Sequence, residues 1–373
     1  MIYFFYFLLA FTLCALATPL VRQLATGLKM FDFPGPSRKI HTSPVAFLGG
    51  LAVYLAFLGA TLVYLKFGRV DYQIIPLKFF WGILLGGLVL MVGGALDDKF
   101  NLPPKLLWLF PALASALIVW SGIGVGITHL TNPFGPPIRI DKTVHWALFT
   151  VHLPLVLVWL WMMGMIFTTK LLDGLDGLCS GIGLIGAVTM FALSLTDKVN
   201  QSITASIAII FAGALLGFLI YNFQPASIFL GESGSTLIGF ILGVLAIILG
   251  AKIATALLVM GIPILDVAWA IIRRLFYRAS PFVGDRKHLH YRLLDVGLSH
   301  RQTVLVLWLI SAIFGFTAVF LQSFGKLVAL LILFAVMIIL ALTVVILYKR
   351  QHPHIPDLFD YSANKGVDEK PKV

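Results

Sequence analysis

Charge is what this sequence has least of. Asp, Glu, Lys and Arg make up 12% of its 373 residues, against 60% hydrophobic residues and a mean hydropathy of +0.99. A soluble domain carries about one quarter charged residues, so a soluble globular fold is excluded and an integral membrane protein is implied. Cysteine is nearly absent. Cys14 and Cys179 both fall in or beside apolar runs, which excludes a disulfide framework and a cysteine-based zinc site. No internal repeat or low-complexity tract stands out, which argues against an inverted-repeat transporter. The first apolar run, from Ile2 to Leu20, lacks a preceding basic residue and a following small-residue cleavage site, so it reads as a retained span rather than a signal peptide.

What is present is hydrocarbon-length sequence. Apolar runs of about 17 to 22 residues fall near 2–20, 47–65, 79–96, 106–126, 153–169, 178–196, 202–221, 235–250, 253–271, 303–324 and 327–348. The fold class expected is all-α: a polytopic bundle of about eleven transmembrane helices over 1–350, followed by a polar tail, 351–373, with prolines at 353, 356 and 371. The formal net charge of +11 is read as basic cytoplasmic loops beside anionic membrane lipid, not as a nucleic-acid surface. With the first helix running outside to inside, the cytoplasmic segments hold 19 Lys and Arg and the outer ones 8, accounting for all 27. The positive-inside bias therefore puts the N-terminus outside and the C-terminus in the cytoplasm of a plasma-membrane protein. The same assignment brings every polar cluster to the cytoplasmic face. The longest outer loop, 128–152, reads as a lid or structural connection.

Four clusters carry chemistry. In Lys170-Leu-Leu-Asp-Gly-Leu-Asp-Gly-Leu178, Asp173 and Asp176 are three apart, so a helical or near-helical backbone puts both carboxylates on one face. Asp97 and Asp98 end the third span. Adjacent carboxylates repel, and that repulsion is relieved by Lys99, by Lys105, or by a hard cation such as Mg2+. The segment from Asn222 to Ser235 carries Glu232 between Gly231 and Gly234, with Phe229 before it, at the start of the eighth span, where free N–H groups suit an anion. The most basic loop contains Gly284-Asp-Arg-Lys-His-Leu-His-Tyr-Arg-Leu293, in which His288 and His290 beside Arg286, Lys287 and Arg292 form a phosphate-facing surface. Arg38, Lys39 and His41 precede the second span. Each cluster taken alone also has a plainer reading: solvated interfacial acids, a helix-start turn, or a basic loop docked on lipid.

Together, Asp97-Asp98 with Asn101, Asp173-Gly-Leu-Asp-Gly177, Phe229-Leu-Gly-Glu-Ser-Gly-Ser235, and Asp285 with His288-Leu-His290 resemble one family, the polyprenyl-phosphate N-acetylhexosamine-1-phosphate transferases of the glycosyltransferase family 4 type. Eleven spans and the His-x-His loop are most similar to its undecaprenyl-phosphate N-acetylglucosaminyl-1-phosphate branch. The resemblance implies transfer of N-acetylhexosamine-1-phosphate from a UDP-N-acetylhexosamine to polyprenyl phosphate, with Mg2+, or Mn2+ in its place, as cofactor. It implies Asp97 and Asp98 as catalytic groups that orient or deprotonate the lipid phosphate, and Glu232, Asp98 and Asp176 as metal ligands. Asp176 and Phe229 correspond to the uracil site. Asp173, Asn222, Lys170, Lys39, Lys105, His288, His290 and Arg292 complete the substrate contacts. A homodimer is left open, as is the choice between direct attack and a covalent intermediate.

Three residues depart from the family pattern. Lys170 stands in a segment, Phe167-Thr-Thr-Lys170, where the family has Asn-Ala-x-Asn; Glu232 replaces Asp; and Tyr291 follows His290 where many members carry a further His. Lys170 is expected to hold either a phosphate or the Asp173 carboxylate. Two rival readings remain: a transporter, which predicts ionisable groups at mid-membrane and on both faces, and an inactive paralogue that binds sugar nucleotide.

Overall fold

The computed structural model describes residues 1–34, 43–68, 70–73, 75–130, 132, 134–140, 143–146, 149–250, 253–276 and 288–351. Lys39, with Arg38 and His41, the Asp285–Lys287 part of the basic loop, and the tail beyond 351 lie outside the described residues. The chain folds as helices α1 (Ile2–Gly27), α2 (Gly49–Phe67), α3 (Leu77–Phe100), α4 (Pro104–Leu107), α5 (Leu109–Ser121), α6 (Leu153–Leu172), α7 (Leu178–Ser194), α8 (Ser202–Asn222), α9 (Gly231–Ile248), α10 (Ile253–Val259), α11 (Gly261–Phe276), α12 (Leu289–Asp295), α13 (His300–Phe320) and α14 (Ser323–Gln351). It is an all-α polytopic membrane protein. Among the described residues nine helices are long and apolar enough to cross a bilayer, α4 and α5 together counting as one.

Each of the eleven expected spans coincides with a helical segment, but two are not simple spans. The sixth, α7, is apolar but only 17 residues long. The ninth is broken: α10 and α11 meet at Met260 with an 84° bend. Hydropathy registers how apolar a stretch is but not its direction, and no proline or glycine run in 253–271 marks so sharp a turn beyond Gly261 and Pro263. The 128–152 loop, read as a lid or structural connection, carries regular structure. Two short antiparallel hairpins occupy it, β3 (His129–Leu130) with β4 (Ile138–Arg139), and β5 (Thr143–Trp146) with β6 (Phe149–His152). The first loop holds the remaining pair, β1 (Phe31–Asp32) with β2 (Val45–Ala46).

In a bilayer, lipid tails are as apolar as the side chains, so helices associate by close packing at small residues. Here α9 is the buried centre, with every residue from Ser233 to Ile247 out of contact with the surroundings. Its glycines and those of its neighbours set the approach. A Cβ on Gly94 of α3 would strike the Ser233 backbone, one on Gly50 of α2 would strike Gly234, and one on Gly239 would strike Met165 and Thr169 of α6. On the far side, Gly213 and Gly217 of α8 lie against the Phe7 and Phe11 carbonyls of α1.

Candidate active site

The threading of α9 between α2 and α3 builds the site. The loop before α9 runs beside β2, with the Phe229 N–H donating to the Ala46 carbonyl at 2.8 Å, while Gly49 and Gly50 at the start of α2 donate to the Phe229 and Leu230 carbonyls at 2.9 and 2.8 Å. Gly231 then turns into α9 with φ of +75°, a conformation that costs a side-chain-bearing residue energy. Asp98, at the end of α3, caps that turn: its Oδ1 accepts the Glu232 N–H at 3.1 Å. A carboxylate at a helix N-terminus is favoured by both the unpaired N–H groups and the dipole. The other oxygen, Asp98 Oδ2, is buried with no hydrogen-bond partner. One turn end away, Asp97 Oδ1 accepts the Leu102 N–H at 2.8 Å, closing the chain after Asn101, which takes φ of +49°.

The second wall is the turn between α6 and α7. Asp173 faces the cavity but is enclosed by protein on its other sides. Burial pushes its carboxyl up to about 8, with Glu232, Asp98 and Asp176 adding to the shift through like charge. Asp176 Oδ2 accepts the Ala226 N–H at 3.0 Å, tying this turn to the loop before α9. Asn222, at the end of α8, braces both. Its Oδ1 accepts Ser180 Oγ at 2.7 Å and the Gly177 N–H at 3.2 Å, and its Nδ2 donates to the Ile228 carbonyl at 3.2 Å. Arg301 donates twice to the Gln224 carbonyl, at 2.9 and 3.1 Å, from the start of α13.

These walls enclose a cavity of about 510 Å³ at one end of the bundle. Among the described residues its lining contains Asp32, Asp97, Asp98, Asp173, Asp176 and Glu232, with Lys170 as the one lysine or arginine. Lys170 does not hold Asp173 or stand free for a phosphate. Its Nζ lies 2.6 Å from Glu232 Oε1. Phe229, Asn222, Tyr291 and His300 complete the part of the lining relevant to chemistry. Among the described residues six acids share this lining with one ammonium, and Asp98 Oδ2 is buried without a hydrogen-bond partner. Such a donor set fits a hard divalent cation held by one or two carboxylates and completed by water and phosphate oxygens. Among the described residues no group of three or more His, Cys, Asp or Glu side chains is placed to hold a metal ion by itself.

Not all expected residues converge. Lys105 is exposed on α4 and does not line the cavity. Arg292 faces a different cavity, between α11, α12 and α14. His288, the expected phosphate contact, is turned toward α11: its Nδ1 lies 2.8 Å from Asp266 Oδ2, and Asp266 Oδ1 accepts the Leu289 N–H at 2.9 Å. His290 sits behind the acidic turn, where a Cβ on Gly174 would collide with its Nε2. Burial lowers its pKa to about 4, with His288 and His300 adding to the effect and Asp266 opposing it, so the ring is neutral at physiological pH.

The structure adds residues that sequence reasoning passed over. His300 opens α13 and lines the cavity, its Nε2 buried without a hydrogen-bond partner. Its signal was a histidine directly after Ser299, a helix-start residue whose capping box with Gln302 is formed. Asp266 lay in plain view as an acid inside an apolar span, where an ionisable group warrants a functional explanation. Asp32 had no such signal.

Comparison with known proteins accords with this site. Residues 80–250 match the model of glycosyl transferase family 4, a stretch that includes Asp97, Asp98, Asp173, Asp176 and Glu232. The chain is 31% identical over 339 residues to a probable undecaprenyl-phosphate N-acetylglucosaminyl 1-phosphate transferase of Bacillus subtilis, covering 89% of this chain and 88% of that protein. The chain belongs to glycosyl transferase family 4. A second family 4 relative, the decaprenyl-phosphate N-acetylglucosaminephosphotransferase of Mycobacterium tuberculosis, is 31% identical over 81% of this chain and 78% of its own length. A third, the undecaprenyl-phosphate alpha-N-acetylglucosaminyl 1-phosphate transferase of Salmonella typhi, is 28% identical over 79% and 77%.

Proposed function

We propose that this family 4 protein transfers N-acetylhexosamine-1-phosphate, with N-acetylglucosamine as the favoured sugar, from its UDP derivative to polyprenyl phosphate, releasing UMP. The observation that carries the reading is an acidic cavity at one end of a membrane bundle, where among the described residues six carboxylates share the lining with one ammonium. A lipid phosphate oxygen attacks the sugar-bearing phosphorus of the nucleotide, a new diphosphate bond forms, and the bond to UMP breaks. Both reactants are anions, so an acidic cavity can hold them only with added cation. A bound Mg2+ offsets that charge and orients phosphate oxygens. Asp98, with its unpartnered Oδ2, and Glu232 are the residues that would hold it, with Asp173 on the wall of the same cavity.

The chain's own groups have distinct tasks. Asp97, at the mouth of the α3 end, orients the acceptor phosphate; a phosphate monoester is already largely ionised near neutral pH, so a base is not essential. Phe229 offers a ring face to the uracil, and Asp176 fixes the loop that carries that ring through Ala226. His300 lines the same cavity from the start of α13. The basic bias of the loops supports a plasma-membrane orientation with this end of the bundle facing the cytoplasm and the N-terminus outside.

The acids gathered at one end speak against a transporter, whose ionisable groups would be spread through mid-membrane and both faces. Purified protein incubated with polyprenyl phosphate, Mg2+ and a panel of UDP-sugars should release UMP with UDP-N-acetylglucosamine. Nucleotide binding without UMP release from any sugar would instead identify an inactive paralogue.

A further inference from the structure

The loop between α8 and α9, residues 223–230, supplies much of the cavity wall: Gln224, Pro225, Ala226, Phe229 and Leu230 all line it. A loop has no ladder of its own, so its place is set by whatever pairs with its backbone groups. Buried or half-buried partners hold its later residues. The Ala226 N–H donates to Asp176 Oδ2 at 3.0 Å, Asn222 Nδ2 donates to the Ile228 carbonyl at 3.2 Å, and the Phe229 N–H donates to the Ala46 carbonyl at 2.8 Å. Gln224 is held from the solvent side. Arg301 of α13 is exposed, and its Nε and one terminal nitrogen both donate to the Gln224 carbonyl, at 3.1 and 2.9 Å.

The first turn of α13 is a firm base for that grip. Its capping box is formed, with the Gln302 N–H donating to Ser299 Oγ at 3.3 Å and the Ser299 N–H to Gln302 Oε1 at 2.9 Å. Successive helical residues point about 100° apart, so His300 lines the cavity while Arg301 stays outside it on Gln224. Just before, on α12, His290 Nε2 lies where a Cβ on Gly174 would strike it. The corner from α12 to α13 therefore bears on both walls of the cavity, the acidic turn through His290 and the α8–α9 loop through Arg301.

At an exposed site water competes for a carbonyl oxygen, so the Arg301 contact contributes little to global stability. What it adds is a fixed direction. The guanidinium keeps its charge and presents its donors in a rigid planar fork, and here two of them converge on one oxygen in charge-assisted bonds. We propose that Arg301 is a positioning residue for the nucleotide: by gripping the Gln224 carbonyl it sets the α8–α9 loop, and with it the Phe229 ring, where the uracil meets it. The proposal rests on the reading that the nucleotide lies against Phe229. The acceptor side is held separately, since Asp97 is fixed by the Leu102 N–H at the end of α3.

The test compares the full-length wild type with Arg301→Met and Arg301→Lys, in detergent with polyprenyl phosphate, Mg2+ and UDP-N-acetylglucosamine. Arg301→Met removes the donors and should raise the KM for UDP-N-acetylglucosamine about tenfold while kcat stays within about twofold. The KM for polyprenyl phosphate should not change. Arg301→Lys, which keeps the charge but not the fork, should fall between wild type and Arg301→Met. Without ligand, amide hydrogen exchange over 223–230 should be faster in Arg301→Met, with exchange in α9 and Tm as in wild type. Equal rises in both KM values, a fall in kcat with KM unchanged, or unaltered exchange in the loop would overturn the proposal. Absence of UDP-N-acetylglucosamine binding by the wild type would remove the nucleotide reading and this proposal together. Normal wild-type binding with an unchanged KM in Arg301→Met would remove the role of Arg301 alone.

Discussion

Lys170 Nζ and Glu232 Oε1 are 2.6 Å apart, across the interface of α6 and α9. Two of the three residues that depart from the family pattern, a lysine for an amide and a glutamate for an aspartate, are each other's partner. The longer glutamate arm reaches a cation that the amide could not supply, while Asp97 and Asp98 lie close by. Side-chain exposures of 24% and 16% keep the pair largely out of bulk solvent, so screening is weaker than for a surface pair.

The pair should therefore behave as a unit. Lys170→Asn alone leaves Glu232 among like charges, and Glu232→Asp alone withdraws the acceptor from the ammonium. Each should lower kcat/KM about tenfold, about 1.4 kcal/mol of transition-state stabilisation. The double variant should recover part of the loss, giving a coupling term in a double-mutant cycle. A Mg2+-dependent rise in Tm, measured in parallel, should follow the same order. Independent, additive losses would show that the two replacements are unrelated.

Asp98 and Asp97 are adjacent in sequence but not equivalent in place. Asp98 spends one oxygen on the Glu232 N–H and buries the other without a partner. Asp97 spends one on the Leu102 N–H and lines the same cavity, half-buried. Asn at 98 keeps an acceptor for the α9 N-terminus and removes the charge, so Asp98→Asn should fold, lose the Mg2+-dependent rise in Tm, and fall at least a hundredfold in kcat, about 2.7 kcal/mol. Asp97→Asn should cost less and retain the Mg2+ response. Near-normal turnover in Asp97→Asn would remove any obligatory base at that position.

Much of this site was legible because acids in hydrocarbon-rich sequence are scarce and costly, so Asp97, Asp98, Asp173, Asp176 and Glu232 stood out against the apolar runs. The spans were legible for the same reason. Orientation of individual side chains was not. The His288-x-His290 spacing suggested a shared phosphate face, but Asp266 from the broken ninth span captures His288 and burial neutralises His290. The 84° bend at Met260 that delivers Asp266 is a tertiary choice which local hydropathy does not encode. His300 was missed because it arrives from the next helix rather than from within a motif.

The Asp173 carboxyl gives the protein a pH signature. Its folded-state pKa is raised from 3.8 to about 8. Its contribution to stability is thus fully present below pH 3.8, declines as pH rises, and is lost above about pH 8. Asp173→Asn removes the charge and should be more stable than wild type at pH 8, with the difference shrinking toward pH 5, while transfer activity is lost. Added Mg2+ should raise the wild-type Tm at pH 8 more than that of Asp173→Asn. Parallel Tm-against-pH curves for the two proteins would contradict the assignment.

Asn222 provides a test of positioning without charge. Its amide makes three hydrogen bonds, to Ser180, Gly177 and Ile228, and is buried. Asn222→Ala would leave a buried N–H and a buried carbonyl unsatisfied, each costing about 1–3 kcal/mol, so a marked drop in Tm is expected. Asn222→Asp keeps the acceptor for Ser180 and the Gly177 N–H but loses the donor to Ile228 and adds a further negative charge beside the acidic cavity. It should retain more stability than Asn222→Ala. If the residue acts by holding the Asp176 turn against the Phe229 loop, both variants should raise the KM for UDP-sugar more than the KM for polyprenyl phosphate. An equal rise in both would mean that Asn222 supports the bundle as a whole rather than the nucleotide wall.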